Sequence, residues 1–423
     1  MMSFLWSDIY QQKNWIKRRL RPSWILGRRL LRRLRLNLAR TAALIPFVSI
    51  DRDRLYPPRR ICESTREWVS KAKREFEATF RDVDPPHAIS YNLPKTVHKG
   101  VRQQFEIEHT WSETFVTTFL RGRATRRGFV ITPDDQFLND ASIYFSAPRA
   151  TVAEALSEDW KLEPLTEVNG RVAVLATEAA DLYYHWLFQL LPRYNLIERA
   201  GIRVSDIDYY YVNSQRSRFQ RETLALLGIE PSKVIAGDKV PYLRARELIV
   251  PSVPLGASCF RPWMLDFLRE KFLPKNWREM QPSGRRLYIS RGLAGYRRVL
   301  NESEVVSFLT ERGFEVAAME TMSVPEQAAV MAACDVVIGP HGGGMSNLVF
   351  CTPGTKVVEI YSPELVATYF WRLSNRLDLD YYYMLGKGKL TTLESDYPQS
   401  WDAHQDIEVD LNVLGQTLTL AGI

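Results

Sequence analysis

From residue 285 to 376 the chain alternates short apolar runs with amphipathic stretches, and that alternation constrains its fold more than any other feature. "RRLYISR", "FEVAAM", "DVVIG" and "TKVVEIY" are too short for helices and rich in β-branched residues, so they read as buried strands. Between them, "NESEVVSFLTERG", "SVPEQAAVMAAC", "GGMSNLVFC" and "ELVATYFWRLSNRL" read as helices. Asn301 and Ser323 stand at the cap positions of the first two, and Glu304 completes a capping-box pattern with Asn301. Strands that recur with helices between them must run parallel, which gives a Rossmann-like α/β domain.

A second series starts near residue 170. "RVAVLAT", "IDYYYVN" and "ELIVPS" read as strands, and "SRFQRETLALLGI" as a helix. "DLYYHWLFQLLPRYNLIERAG" reads as a helix with Asp181 as N-cap and Gly201 as its stop, kinked at Pro192, where the bond to Phe188 is lost. Residues 51–165 are less regular. "TFVTTFLRGRATRRGFVITPDDQFL" suggests short strands broken by turns, and the Pro-rich stretches around it suggest connectors.

The 423 residues carry a formal charge of +7, unevenly spread. Residues 1–50 hold 11 Lys/Arg and one acid, Asp8, which leaves 45 bases and 48 acids in the rest. Leu20, Trp24, Leu31, Leu34 and Leu38 recur at helical spacing among the arginines. This is the pattern of a basic amphipathic N-terminal helix on an anionic membrane surface, centred on residues 13–40. Nucleic-acid phosphate or a solvated tail are the other readings of such a cluster, and nucleic acid is not the expected partner. No run of apolar residues is long enough to span a bilayer. Cys62, Cys259, Cys334 and Cys351 are scattered, which suggests neither a zinc site nor a disulfide framework and is consistent with a cytoplasmic location.

The loop "GPHGGGMSN" follows the strand "DVVIG". At a strand's carboxyl end, with a helix starting behind it, Gly342, Gly343 and Gly344 let a ligand approach the backbone, and unpaired N–H groups favour an anion. His341 adds a side-chain donor, and the arrangement suits a diphosphate. The Walker pattern is missing, and an esterase oxyanion hole would need a GxSxG elbow that the chain lacks. Arg291, Arg297 and Arg298 follow a strand of the same sheet and offer forked donors to phosphate. Glu359 ends the next strand, where a carboxylate can accept from a ribose diol. In the earlier series Asp181, His185 and Gln189 are spaced four apart on an otherwise apolar helix, with His185 a candidate general base and Asp181 its orienting partner. Each of these features also has a plain structural explanation, from a glycine-rich turn to a satisfied core histidine.

Taken together and in order, "YYHWLFQLLPRYNLIERAG", "LYISR", "LNESEV" and "DVVIGPHGGGMSNLVFCTPGTKVVEIY" resemble glycosyltransferase family 61 over about residues 165–385. The resemblance implies a GT-B-like fold, two Rossmann-like domains facing across a cleft. It implies an inverting transferase that moves a sugar from a nucleotide-sugar donor, generally a UDP-sugar, to a glycan or polysaccharide acceptor such as a capsule. It implies that no cofactor and no metal are required. Carried onto this chain, Arg291, Arg297, Arg298, His341, Gly342, Gly343, Gly344 and Asn347 form the donor site, with Glu359 on the nucleoside or a sugar hydroxyl. His185, Asp181 and Gln189 form the catalytic group, although Gln189 stands where similar sequences often carry Asp and cannot act as a base. The expected organisation is an arm over 1–50, an acceptor-side domain over 51–275, a nucleotide-sugar domain over 276–390 and a tail over 391–423. The enzyme is expected in the cytoplasm, peripheral on the inner face of the membrane. A non-catalytic nucleotide- or glycan-binding protein of the same fold is the alternative.

Overall fold

The computed structural model describes residue 58 and residues 60–98, 105–142, 165–254, 260–279, 283–363, 365–388 and 405–423. The basic arm expected over 1–50 lies outside the described residues. Contacts divide the chain into Met1–Ile61 with Tyr144–Leu165, almost all of it undescribed, and Cys62–Ile143 with Thr166–Ile423. The second unit holds two large sheets.

The first sheet is mixed. Its principal strands are β1 (Thr79–Asp84), β2 (Thr114–Leu120), β3 (Thr166–Val174), β4 (Tyr209–Val212), β5 (Val234–Ala236) and β6 (Tyr242–Pro251). Strands β5, β4, β3 and β6 lie side by side in that order, all parallel. Strand β2 joins β6 antiparallel, and β1 joins β2 antiparallel. The Thr-, Phe- and Val-rich run over β2 is buried on both faces, because one apolar cluster packs on Val116 and another on Phe115 and Phe119. The short strands Arg123–Thr125, Val130–Ile131 and Gln136–Leu138 follow it, as the broken strand pattern suggested.

The second sheet is wholly parallel. Its strands are β7 (Arg285–Ile289), β8 (Phe314–Ala317), β9 (Cys334–Pro340), β10 (Lys356–Tyr361) and β11 (Asp380–Leu385). Their spatial order is β8-β7-β9-β10-β11. The chain therefore starts in the middle, steps outward once, then crosses back over β7 to build the other side. The crevice between β7 and β9, at their carboxyl ends, is the topological switch point where open α/β sheets hold ligands.

The helices largely follow the sequence pattern. Ser323 caps Val324–Ala332 with a full capping box to Glu326. Asn301 sits at the cap of Glu302–Thr310, yet its side chain bonds Val409 N and O and the Glu304 carboxylate rather than capping the helix. The stretch Gly343–Phe350 is a 3-10 segment rather than an α-helix. "DLYYHWLFQLLPRYNLIERAG" does not become one helix either. A turn runs to Leu182, followed by Tyr183–His185, a π-helical turn over Trp186–Leu190 and an α-helix over Leu191–Arg199. Leu191 N–H bonds back to Trp186 O, and this widened turn makes room for the ring of Pro192, so the proline is absorbed by a π-turn.

Candidate active site

The loop between β9 and the 3-10 segment sits at the switch point. Arg291, two residues past the end of β7, lays its guanidinium against Gly342, where a Cβ would stand 1.9 Å from Arg291 Nη1. The backbone of Gly342 is extended, with φ of 167°, so any residue could adopt its conformation. Glycine is required there only because the arginine lies on it. A Cβ on Gly344 would meet Ile289 Cγ2 at 2.9 Å, so the loop also rests directly on the end of β7. Glu302 holds the turn from the other side, with Oε1 accepting from Ser290 Oγ at 2.8 Å and Arg291 N at 3.1 Å.

The three arginines separate into two kinds. Arg291 donates through Nε to Arg297 O at 3.0 Å and through Nη2 to Tyr296 O at 2.9 Å, and has no carboxylate partner among the described residues. Burial, and then the neighbouring Arg297, hold its pKa below the ordinary value. Arg297 takes a left-handed φ of 51° and keeps its buried Nε without a hydrogen-bond partner. A left-handed non-glycine residue costs about 1–2 kcal/mol and persists where its surroundings impose it. Arg298 differs, because its guanidinium is exposed and paired with Asp406 at 3.1 Å, and its N–H is bound there too. The structure places Arg298 in a surface ion pair, outside the group formed by Arg291, Arg297 and His341.

His341 continues β9 by one residue, with its N–H bonded to Ile360 O at 2.9 Å. The period-2 alternation of strands places it on the same face as Glu359 and Tyr361 of the adjacent β10. His341 Nδ1 lies 2.5 Å from Glu359 Oε1. The other oxygen, Glu359 Oε2, accepts from Tyr381 at 2.5 Å and lies 3.0 Å from the Tyr361 hydroxyl. Glu359 is fully buried. It is therefore not placed to meet a ribose, since His341, Tyr361 and Tyr381 occupy its oxygens. Tyr361 and Tyr381 were not singled out in the sequence, although the Glu-x-Tyr alternation at the end of β10 was the available signal.

Asn347 is also engaged within the protein. Its Nδ2 donates to Gln327 at 2.7 Å and to Gly344 O at 3.2 Å, and its Oδ1 accepts from Tyr183 at 2.8 Å. It ties the loop to Tyr183–His185 and is fully buried, so its amide is not presented to a donor molecule. Tyr183, absent from the sequence-based candidates, is the partner that brings the two sheets' loops together.

His185 lies on that same short helix. Gln189 Oε1 is 3.0 Å from His185 Nδ1, and the Thr177 hydroxyl lies 3.4 Å from the same oxygen. The amide oxygen accepts, so the proton sits on Nδ1 and the lone pair on Nε2. Burial pushes the His185 pKa down to about 4, against the opposing bond to Gln189. The imidazole is thus neutral at pH 7. Asp181 is not its partner. It lies in the exposed turn before the helix, and its carboxylate accepts from Ser214 at 2.7 Å. The expected four-residue relation fails because the chain is not helical at Asp181.

His185 and His341 belong to one continuous neighbourhood. Tyr184 lies 5.2 Å from the His185 ring and 5.5 Å from Tyr369. Phe370 lies 5.4 Å from the His341 ring. Two Asp-x-Asp runs, at 206–208 and 378–380, take part in ion pairs. Asp206 pairs with Arg203, and Asp380 pairs with Lys95.

Residues 183–358 match the family model described as Glycosyltransferase 61. The chain is also similar to the beta-1,2-xylosyltransferase XAX1 of Oryza sativa subsp. japonica, with 34% identity over 128 residues, 29% of this chain and 22% of that protein. It is similar to RCN11 of the same plant, another beta-1,2-xylosyltransferase, with 39% identity over 61 residues, 14% of this chain and 11% of that protein. A beta-1,2-xylosyltransferase of Arabidopsis thaliana is 29% identical over 100 residues, 21% of this chain and 19% of that protein. The chain thus matches about a fifth or less of the length of these curated relatives.

Proposed function

From the match of residues 183–358 to the Glycosyltransferase 61 family model, we propose that the protein is an inverting, GT-B-type glycosyltransferase that moves a sugar from a UDP-sugar to a hydroxyl of a glycan acceptor. One observation carries this reading. At the switch point of the parallel sheet, Arg291 lies on Gly342 with no acidic partner among the described residues, beside the Gly342–Gly344 loop. That is a site for a diphosphate, with cation, loop amides and His341 gathered at one place.

The chemistry then divides between two groups. The acceptor hydroxyl gives its proton to His185 Nε2, and its oxygen attacks the anomeric carbon. The bond from that carbon to the diphosphate oxygen breaks on the opposite face, and its electron pair leaves with the diphosphate. Arg291, Arg297 and the loop amides stabilise the charge that develops there. His185 is a neutral acceptor of a proton, held in one tautomer by Gln189, so no carboxylate is needed at position 189 to fix it. The reaction needs no resident cofactor or metal. The acceptor is a polysaccharide made on a cytoplasmic membrane face, reached by the basic arm.

The relatives' names direct the first donor trial to UDP-xylose. The test is product formation from UDP-xylose and other UDP-sugars with a panel of glycan acceptors. Transfer with inverted anomeric configuration, lost in His185→Ala while UDP still binds, is the expected result. UDP binding to the wild type without transfer to any acceptor would favour the non-catalytic nucleotide-binding alternative. Undiminished transfer by His185→Ala would end the base assignment.

A further inference from the structure

The deepest feature of the site is the buried acid behind His341, which takes no part in the transfer chemistry proposed above. Glu359 has no access to solvent; Tyr381 donates to it, His341 Nδ1 faces its other oxygen, and the Tyr361 hydroxyl, which also bonds Ala367 O at 2.7 Å, lies beside it. Burial raises the pKa values of Tyr361 and Tyr381 well above the ordinary phenol value, so both hydroxyls stay protonated. A carboxylate enclosed in this way is stabilised by hydrogen bonds and not by water.

His341 therefore has its Nδ1 committed to Glu359. With the proton on Nδ1, the neutral ring offers a phosphate oxygen only the lone pair of Nε2, which would repel it. Only the imidazolium can bond Glu359 and a phosphate together. The groups facing His341 are Arg291 and Arg297 from the loop after β7, Glu359 and Tyr361 from β10, and the Tyr369 and Phe370 rings from the helix Tyr369–Arg376. Tyr381 of β11 reaches it through Glu359, and Tyr184 and His185 through Tyr369. Among these, Glu359 alone attracts a proton to the ring. Burial and the two arginines hold the His341 pKa below its ordinary value in spite of Glu359.

We propose that Glu359 is a positioning residue that makes His341 take up a proton when a nucleoside diphosphate binds, so that Nε2–H is presented to the departing phosphate oxygens. The inference rests on the reading that this loop holds the donor diphosphate. Binding reverses the electrostatics, because the anion pairs with Arg291 and Arg297 and adds a negative charge on the side of the ring opposite Glu359. The sign follows from linkage: a pKa raised by the ligand means that protons are absorbed on binding. In the transfer step no proton leaves His341. It donates a hydrogen bond to the oxygen that receives the electron pair, and it deprotonates again when the diphosphate is released.

The experiment is calorimetry of UDP binding to the full chain at pH 7 in PIPES and in Tris, whose ionisation enthalpies differ. The dependence of the observed enthalpy on buffer gives the number of protons exchanged. UDP's own terminal phosphate contributes equally to wild type and variants, so the comparison between them is the readout. The wild type should absorb on the order of one proton more per UDP than Glu359→Gln. Tyr381→Phe, which keeps the carboxylate, should retain most of that uptake. If Glu359→Gln does not fold, His341→Gln supplies the same comparison. UDP binding with equal proton exchange in wild type and variants overturns the inference and leaves the donor site standing. Failure of the wild type to bind UDP overturns both.

Discussion

Replacing Gln189 by Glu tests how His185 is set. Gln189 is almost completely buried, and its oxygen lies 3.0 Å from His185 Nδ1. A carboxylate there would place a negative charge ~4 Å from the centre of the imidazolium. At an effective dielectric of about 20 that is worth ~4 kcal/mol, or ~3 pK units. Burying the new carboxylate raises its own pKa and takes back part of this, so a net rise of about 1–2 units is the expected outcome. His185 would move from about 4 toward its ordinary value. Titration of carbon-13-labelled histidine by NMR reads this directly, since the chain has only six histidines and His185→Gln identifies the resonance. The acid limb of kcat/KM for the acceptor, at saturating donor, should move with it, because that limb reports the base in its free form. Activity of the wild type should be nearly flat from about pH 5.5 upward on the acid side. A wild-type His185 that titrates near 6.5, or one unmoved by Gln189→Glu, would refute both the burial argument and the role given to the amide.

Other consequences follow from the same geometry. Gly342→Ala should leave thermal stability nearly unchanged, because the clash is with the far end of a flexible arginine and no left-handed backbone is involved; the displaced guanidinium should weaken UDP binding by about tenfold or more, read by calorimetry. Arg291→Ala should weaken UDP binding by ~10- to 100-fold, the cost of a charge-assisted hydrogen bond, whereas Arg298→Ala should change it less than about threefold, since an exposed pair with Asp406 contributes little. Asn347→Ala strands the Tyr183 hydroxyl and the Gln327 amide and should cost roughly 2–4 kcal/mol in urea unfolding. His185 also sets a stability window. Its folded pKa of about 4 lies below the unfolded ~6.5, so its contribution is full above the unfolded value and is lost as pH falls through the folded one, by at most about 3 kcal/mol. Comparing unfolding at pH 7 and pH 4.5 in the wild type and His185→Gln checks this.

Much of the α/β architecture can be read along the chain because strand and helix alternation is a local pattern. The apolar runs of β7, β9 and β10, the Ser323 cap and the glycine loop all depend on residues within a few positions of one another. The break at Pro192 is legible too, but its form is not. A proline removes a donor wherever it falls, whereas absorption by a π-turn depends on the packing of Trp186–Leu190. The same limit explains Asp181. Periodicity assumes a helix, and the turn before Tyr183 withdraws Asp181 from His185.

Sequence alone marked the residues able to carry chemistry: arginines after one strand, histidine and glycines after another, and a histidine on an apolar helix. It did so because composition and spacing fix what a segment can donate, accept or approach. Tertiary structure decided which of them act together. Strand order placed Arg291 on Gly342, register placed Glu359 behind His341, and Asn347 became a tie to Tyr183. Those relations join residues 18 to 164 positions apart, from different strands and loops, and no local period encodes them. The loop "GPHGGGMSN" is written in the sequence as a place where an anion can come close to the backbone; the surrounding strands decide which side chains meet it there.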